Sequence, residues 1–254
     1  MAPAVGPPLR PTVRALAWLL VALAGVGIAA RLGLWQLDRA AQKESLRALM
    51  QSRSLAPPLD DAGFARACCA DPAALHFRHV RLRGEWLGAD SVWLENRQMN
   101  GRPGFFLVTP LRLAGRADAV LVQRGWAPRD NDDRTRLPAV ASPQGTLDVQ
   151  GLIAPPPARL YEFAASASGA IRQNLDLPAF AAQTGLALLP VSLLQLAAPA
   201  GTAGSDGLLR DWPQPAVDVQ KHYGYAFQWF ALGALMTGLY VWFQLVRPRL
   251  QRTR

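Results

Sequence analysis

His222 is the residue whose type and position offer the most chemistry in this chain of 254 residues. It stands where a long apolar segment begins near the C-terminus, and an ionisable side chain in such a segment is a functional candidate. A neutral imidazole is a common axial ligand of haem iron. Small residues and flat rings follow His222 on one face of a helix, as a slot for a planar macrocycle would require: Tyr225, Ala226, Trp229 and Gly233. The alternative is a histidine hydrogen-bonded to lipid or to a loop at the wet interface.

The other residues that ligate metals are poorly placed for a shared site. His76 and His79 are three positions apart and would point to opposite faces of a strand. Cys68 and Cys69 are adjacent, which makes a disulfide between them strained and uncommon. We interpret them as two small apolar residues, with a redox or metal role as the alternative. The lack of a C-x-x-x-C motif and of Met-rich stretches argues against a copper chaperone.

Motifs typical of enzyme active sites are absent from the sequence. It contains no G-x-S-x-G, no phosphate-binding Walker loop, no G-x-G-x-x-G and no H-E-x-x-H. This argues against a membrane-bound periplasmic enzyme and predicts a protein that is not an enzyme.

The distribution of charge predicts on which side of a membrane the two ends lie. All 18 acidic residues lie between Asp38 and Asp218, whereas the first 14 residues carry two arginines and the last eight carry four. The net charge of +9 is therefore concentrated in the tails, and the middle of the chain is not a nucleic-acid surface. Arginine-rich tails beside apolar segments predict that both termini are cytoplasmic.

Two apolar segments predict two transmembrane helices. Residues 222–246 contain no Asp, Glu, Lys or Arg, and aromatic residues cluster at both of their ends, as in an interfacial belt. Residues 15–37 form the other span, in which the side chain of Arg31 reaches the outer head groups. The alternative for this segment is a cleaved signal peptide, but Arg31 interrupts the region where a cleavage site is expected.

Small residues on both spans predict a close contact between them. Gly25, Ala29 and Gly33 recur every four residues and form one helix face. Ala234 and Gly238 offer a similar face on the second span. We therefore expect the two helices to pack against each other in the membrane.

Strand patterns dominate the region between the spans. Residues 79–87 alternate between apolar and polar, and further strands are predicted over 91–95, 105–113, 119–126, 146–153 and 191–196. Pro110 predicts an edge or a bulge in its strand. A short helix is predicted over 177–184, ended by Gly185, and linkers over 56–58, 154–157 and 197–207.

The predicted fold class is a membrane protein in which two transmembrane α-helices flank an α+β domain, mainly an antiparallel β-sheet or partly closed barrel. Residues 1–14 form a cytoplasmic N-terminus, 15–37 the first span and 38–221 a periplasmic β-rich domain. The second span covers 222–246, and a basic cytoplasmic tail covers 247–254. This organisation places the chain in a bacterial inner membrane.

Short motifs in a fixed order carry a resemblance over most of the chain. They are LGLWQL at 32–37 with Arg39 and Lys43, FRHV at 77–80 with Gly84, Asn96-Arg97, Gly101, Gly104, VTPL at 108–111, VQRGWAP at 122–128 and HYGYAFQWF at 222–230. In these motifs and in its helix–domain–helix order, the chain resembles the Surfeit locus protein 1 family of assembly factors for cytochrome c oxidase.

The resemblance implies a role in putting haem a into oxidase subunit I, with His222 as the axial iron ligand. Tyr225 and Trp229, which share its helix face by spacing, are the other predicted haem contacts on this helix. Subunit I, membrane lipid and haem A synthase are the implied partners. Arg31 and Arg39 offer forked cations for the two haem propionates, with membrane-surface anchoring as the alternative. The competing hypothesis is a structural scaffold that grips immature subunit I and binds no cofactor.

Overall fold

The computed structural model describes residues 11–68, 70–130, 132–133, 136–160, 169–197, 206–213 and 218–252. In chain order the helices are α1 (Pro11–Ser54), α2 (Asp61–Ala67), α3 (Pro72–Leu75), α4 (Leu177–Thr184), α5 (Gln220–Val241) and α6 (Arg247–Arg252). The strands are β1 (His79–Trp86), β2 (Val92–Met99), β3 (Arg102–Leu113), β4 (Asp118–Pro128), β5 (Leu147–Ala154), β6 (Ile171–Arg172) and β7 (Ala187–Gln195). A 3-10 turn covers Gly88–Asp90, and a π-helical turn, Trp242–Val246, joins α5 to α6.

The chain divides into two compact units. Residues 1–49 and 216–254 form the first, here called the helical unit. Residues 50–215 form the second, here called the barrel unit. The linker predicted over 197–207 lies mostly outside the described residues.

Both long helices are long and apolar enough to cross a membrane. The candidate spans are Val13–Ser54 and Gln220–Gln251, and only 6% of the most apolar window of each is buried. A core helix of a soluble protein is mostly buried, whereas these two helices expose large apolar side chains that can contact lipid. Because α1 has 44 residues, it is about 66 Å long, roughly twice the hydrocarbon thickness.

The helical unit is an antiparallel pair of helices, and the predicted small-residue face of α1 makes the contact. A Cβ built at Gly25 would stand 3.1 Å from the sulfur of Met236, and one built at Gly233 would stand 3.6 Å from the Cβ of Ala29. Ala29 is 1% exposed. Small residues thus let the two backbones approach closely, as the sequence predicted.

The partner face on α5 differs from the predicted one. Ala234 is exposed, and a Cβ at Gly238 would have nothing within 4 Å. The covered positions are instead spaced alternately by four and three residues, as in a coiled coil: His222, Ala226, Trp229, Gly233, Met236 and Tyr240. The prediction for Ala234 and Gly238 was wrong because the contact follows this seven-residue spacing, which starts at His222.

The barrel unit contains a closed five-stranded barrel. β1 pairs with β5 on one side and with β3 on the other, and β7 and β4 complete the ring. β2 extends the sheet from β3, and β6 pairs with β2. The pairings are antiparallel except β4–β7 and β2–β6. The predicted α+β class and barrel are confirmed, and the sheet is mixed.

Alternating side chains of the barrel strands fill its interior. In β1 the buried positions are Val80, Leu82, Gly84 and Trp86, which confirms the predicted alternation. Phe64 of α2 and Leu75 of α3 pack against the same apolar cluster and extend it beyond the strands. Burying this apolar surface is the main force that holds the barrel unit together.

Pro110 lies inside the sheet and not on an edge strand. It pairs with Leu121 of β4. On the other side of β3, pairing with β2 ends at Val108, and pairing with β1 begins at Leu111. A residue without an N–H is tolerated at this gap because no ladder bond is required there. The register shift that the sequence suggested lies close by, between Leu107 and Val108.

The helix predicted over 177–184 is α4, with the same bounds. The side chain of Asp176 accepts a hydrogen bond from the backbone N–H of Ala179 and caps the helix start. Gly185 ends the helix in the left-handed conformation, at φ 69°. Phe180 on its inner face is buried against β2, β3 and β4 residues.

Candidate functional site

His222 lies in the first turn of α5, on the face that α1 covers. Its backbone N–H donates to the carbonyl of Val219, just before the helix starts at Gln220. The side chain is half-buried. This position gives the imidazole one side facing α1 and another that remains accessible.

Gln36 of α1 holds the imidazole. The Nδ1 of His222 and the Oε1 of Gln36 are 2.7 Å apart. Because an amide oxygen can only accept, the hydrogen bond requires a proton on Nδ1. In the neutral ring the other nitrogen, Nε2, then carries a lone pair, which is the form that binds a metal ion.

The seven-residue spacing of α1 explains why a glutamine is found at this point. Its covered positions recur every three or four residues: Ala22, Val26, Ala29, Gly33, Gln36 and Ala40. Gln36 is the polar member of this row and is 9% exposed. A buried amide needs a hydrogen-bond partner, and His222 of the facing helix is at that level of the pair.

The small residues of the predicted macrocycle slot contact α1. Ala226 and Gly233 are buried, and Gly233 lies against Ala29. Trp229 is half-buried, whereas Tyr225 is 50% exposed. Ala226 and Gly233 therefore bring the two helices together.

The two arginines of the predicted site lie about 80° apart around α1, at unequal angles from Gln36. Arg31 is exposed and stands five residues before Gln36, which places it about 140° around the helix from that residue. Arg39 is also exposed. Its guanidinium lies 5.7 Å from the centre of the Trp35 ring, and its Nη1 donates to Oε1 of Gln42 at 2.9 Å.

A second hydrogen bond joins the two helices near His222. The hydroxyl of Tyr223 donates to Oε1 of Glu44 at 3.0 Å. Just before α5, the Nζ of Lys221 is 3.1 Å from Oδ2 of Asp218. The hydrogen bond from Lys221 lowers the pKa of the Asp218 carboxyl below its usual value. This end of the pair is therefore polar, in contrast to its apolar middle.

Sequence reasoning identified His222 but missed Gln36 and Glu44. Both lie on α1, and Gln36 is 186 positions away from His222 along the chain. The available signal was the seven-residue spacing, which places Gln36 three residues after Gly33 on the contact face. A polar residue on such a face of an apolar helix is a functional candidate by default.

The other histidines stand apart from this pair. His79 opens β1, and His76 follows α3, where burial and the charge of Arg53 lower the pKa of its imidazole. Cys68 is fully buried in the barrel core, and Cys69 lies outside the described residues. Within the described part of the chain, no group of three or more His, Cys, Asp or Glu side chains is arranged to hold a metal ion.

Comparisons with known proteins find a family profile and several relatives that resemble this chain. The sequence profile of the SURF1 family matches residues 23–234, which include Gln36, strands β1 to β7 and His222. A SURF1-like protein of Drosophila melanogaster is 27% identical over 258 residues, covering 92% of this chain and 79% of that protein. A SURF1-like protein of Rickettsia felis is 25% identical over 250 residues, covering 87% of this chain and 94% of that protein. The cytochrome oxidase assembly protein SHY1 of Saccharomyces cerevisiae is 30% identical over 132 residues, which are 50% of this chain and 33% of that protein.

Proposed function

The chain belongs to the SURF1 family, and from this premise we propose that it is a membrane-anchored assembly factor for cytochrome c oxidase that binds haem a through His222 and assists its insertion into subunit I. The oxidase part of the proposal is supported by the yeast relative, which is named as a cytochrome oxidase assembly protein. Haem a is the cargo in this proposal, and the chain performs no catalysis of its own.

The haem part rests on one observation, the hydrogen bond between Gln36 and His222. With the proton of a neutral ring on Nδ1, the half-buried imidazole keeps its lone pair on Nε2, which is the donor that haem iron takes from histidine. Aromatic side chains further along the same helix, Tyr225 and Trp229, suit a flat and largely apolar ligand. When bound, haem a supplies the iron that the oxidase later uses.

A chaperone must release its cargo, and the helical unit fits that requirement. One imidazole would give the haem iron a single ligand from this chain, which would favour release over permanent retention. Tyr225 is half exposed, and large parts of both helices are uncovered by protein. A loosely enclosed haem leaves through the membrane side more easily than one buried in a closed cavity, which favours transfer to subunit I.

We further propose that the chain lies in a bacterial inner membrane with both termini cytoplasmic and residues from about 42 to 219 periplasmic. The antiparallel contact of α1 and α5 brings the start of α1 and the end of α5 to the same end of the pair. The tails at that end carry arginines and no acidic residue. Relatives in Rickettsia are bacterial proteins.

The proposal is tested by purifying the full chain from cells that make haem a. We expect an α-band and a Soret band of bound haem in the wild-type protein, and a loss of most of this absorbance in His222→Ala at equal protein yield. His222→Met should retain part of it, since a thioether also ligates haem iron. Leu235→Ala is a matched control on an exposed part of the same helix.

Two results would overturn the haem assignment. Wild-type protein without any haem would leave the scaffold for immature subunit I as the better function, with oxidase yield then depending on protein contacts alone. A full haem spectrum in His222→Ala would place the ligand elsewhere in the chain.

A further inference from the structure

We propose that Gln36 is a positioning residue for haem iron: its amide oxygen holds His222 in the tautomer that presents Nε2, and it thereby sets how tightly the chain retains haem. The inference rests on the proposed function. Its addition to that function is that α1 and α5 together determine haem affinity, although only α5 carries the ligand.

The first step is the geometry of the hydrogen bond. At 2.7 Å between Nδ1 and Oε1, it is at the short end of the normal range for an N–H donor. Neutral imidazole has one N–H, and without a partner it distributes that proton over both nitrogens. An acceptor fixed beside Nδ1 selects the form with the lone pair on Nε2.

The second step is the rigidity of the acceptor. Gln36 is 9% exposed and lies in the row of α1 that contacts α5, so water competes little for its amide oxygen. Close packing of Gly33 and Ala29 on the same face keeps the two helices in register. The imidazole is therefore oriented before any ligand arrives, which reduces the entropy lost on binding.

The third step is the effect on the donor atom. Histidines that bind metal ions usually donate their second N–H to a carbonyl or a carboxylate, which fixes the ring and raises the basicity of the ligating nitrogen. Removing such a partner typically lowers metal affinity by about 10- to 100-fold. A carboxylate in place of the amide makes the imidazole more electron-rich and so favours ferric over ferrous iron.

A purely structural role is the competing explanation, since polar side chains commonly link helices in lipid. The chain contains a matched control for it. The hydrogen bond from Tyr223 to Glu44 also links α1 to α5, but it does not touch the imidazole. If Gln36 acts only as a link, loss of the Tyr223 bond should have a similar effect on haem.

One experiment needs no haem. The full chain, with histidine labelled by ¹⁵N, is placed in lipid nanodiscs, and the tautomer of His222 is read from its two ring nitrogen shifts at neutral pH. We expect Nδ1–H in the wild type and in Tyr223→Phe, and a mixture of tautomers in Gln36→Met, which has similar length but no strong acceptor. A wild-type ring protonated on Nε2, or an unchanged tautomer in Gln36→Met, would overturn the proposal.

The second experiment titrates the same variants with haem a in nanodiscs. We expect Gln36→Met to bind about 10- to 100-fold more weakly, Tyr223→Phe to bind like the wild type, and Gln36→Glu to regain binding with a more negative midpoint potential. Equal affinities and potentials in all four proteins would refute the role of Gln36 while leaving His222 as the ligand. Equal losses in Gln36→Met and Tyr223→Phe would show a structural link only. A wild type that binds no haem would instead defeat the proposed function, whatever the tautomer.

Discussion

The ring of Phe230 on α5 lies directly against Gly33 on α1, so that a Cβ built at Gly33 would stand 2.7 Å from both Cε1 and Cζ of the ring. Gly33→Leu should therefore push the helices apart, because a branched side chain has no room beneath the ring. We expect normal membrane insertion but a clear fall in oxidase assembly. Membrane fractionation and the oxidase haem spectrum measure the two effects.

Gly27 is the matched control for this prediction, since it lies on the same helix and a Cβ there would meet nothing within 4 Å. Gly27→Leu should leave oxidase assembly unchanged. Phe230→Ala combined with Gly33→Leu should recover part of the loss, because it removes the ring that the leucine meets. Equal activity of Gly33→Leu and the wild type would mean that this contact is irrelevant to assembly.

Arg31 and Arg39 provide a test of how haem propionates are held. Both side chains are exposed, but Arg39 lies about 60° around α1 from Gln36, whereas Arg31 lies about 140° from it. If either binds a propionate, Arg39→Gln should reduce haem retention more than Arg31→Gln does. Arg31→Gln should then change only membrane anchoring. Unchanged haem absorbance in the double variant would leave anchoring as the role of both residues.

Gly104 of β3 lies close against the backbone and the Trp126 ring of β4. A Cβ there would stand 2.2 Å from the carbonyl oxygen of Ala127 and 2.5 Å from two atoms of the Trp126 ring. Trp126 is 1% exposed, and its Nε1 donates to the carbonyl of Arg97, so the ring cannot turn away. Gly104→Ala should lower the free energy of unfolding by about 2–3 kcal/mol. Thermal unfolding of the full chain in detergent, followed by tryptophan fluorescence, measures this.

Gly101 separates this steric effect from a general effect of glycine replacement. A Cβ at Gly101 has nothing within 4 Å, but its φ of 75° favours glycine. Gly101→Ala should cost only about 1 kcal/mol, from backbone strain alone. If Gly104→Ala and Gly101→Ala unfold at the same temperature, the contact with Trp126 does not explain why glycine is required at position 104.

These glycines show what the sequence could and could not predict. Alternation identified β1, and Gly185 correctly marked the end of α4, because both signals are local. The sequence showed Gly84 and Gly104 as members of motifs but not why glycine is required at these positions. Glycine is required because a neighbouring strand leaves no room for a side chain: a Cβ at Gly84 would stand 2.4 Å from the carbonyl oxygen of Arg112. Closure of the barrel likewise depends on the pairing of β1 with β3 and β5, which no local pattern encodes.

The same limit applies to the candidate site. His222 was recognisable as an ionisable residue at the start of an apolar helix. Its partner Gln36 belongs to a helix at the other end of the chain, and only their packing brings the two together. The face that α5 turns to α1 was mispredicted, because small residues occur on more than one side of this helix, at Gly224, Gly233 and Gly238.

Asp206 fastens the segment before α5 to the barrel and should make it sensitive to acid. Its carboxylate accepts from Nη1 of Arg210 at 3.0 Å and lies 3.8 Å from Nη2 of the buried Arg124. Burial raises the pKa of Asp206, but the hydrogen bond and charge of Arg210 outweigh it and lower the pKa below its usual 3.8. The stabilisation is therefore complete above about pH 4 and is lost as the pH falls through the lowered value.

Asp206→Asn should loosen this segment at neutral pH, because two arginines then lose their carboxylate. Trp126 and Leu209 exchange two backbone hydrogen bonds beside it, at 2.7 and 2.8 Å. Hydrogen exchange at these amides should become about tenfold faster, for a local loss of about 1.4 kcal/mol. The exposed Arg159–Asp176 pair is the control, and Arg159→Gln, which leaves the cap of α4 intact, should leave the Trp126 amide unchanged. Protection as in the wild type would show that the backbone pairing holds the segment without Asp206.

The orientation of the chain is tested with alkaline phosphatase, which is active only in the periplasm. Gly115 lies in the open turn between β3 and β4, where a Cβ would meet nothing within 4 Å. A fusion after this residue keeps α1 and places the phosphatase in the predicted periplasmic region. We expect high phosphatase activity there and none for a fusion after Arg254, since α5 should return the chain to the cytoplasm. A fluorescent protein that folds only in the cytoplasm should give the opposite pattern at both positions. Active phosphatase after Arg254 would place the arginine-rich tail in the periplasm and would refute the topology on which haem delivery from the outer side of the membrane depends.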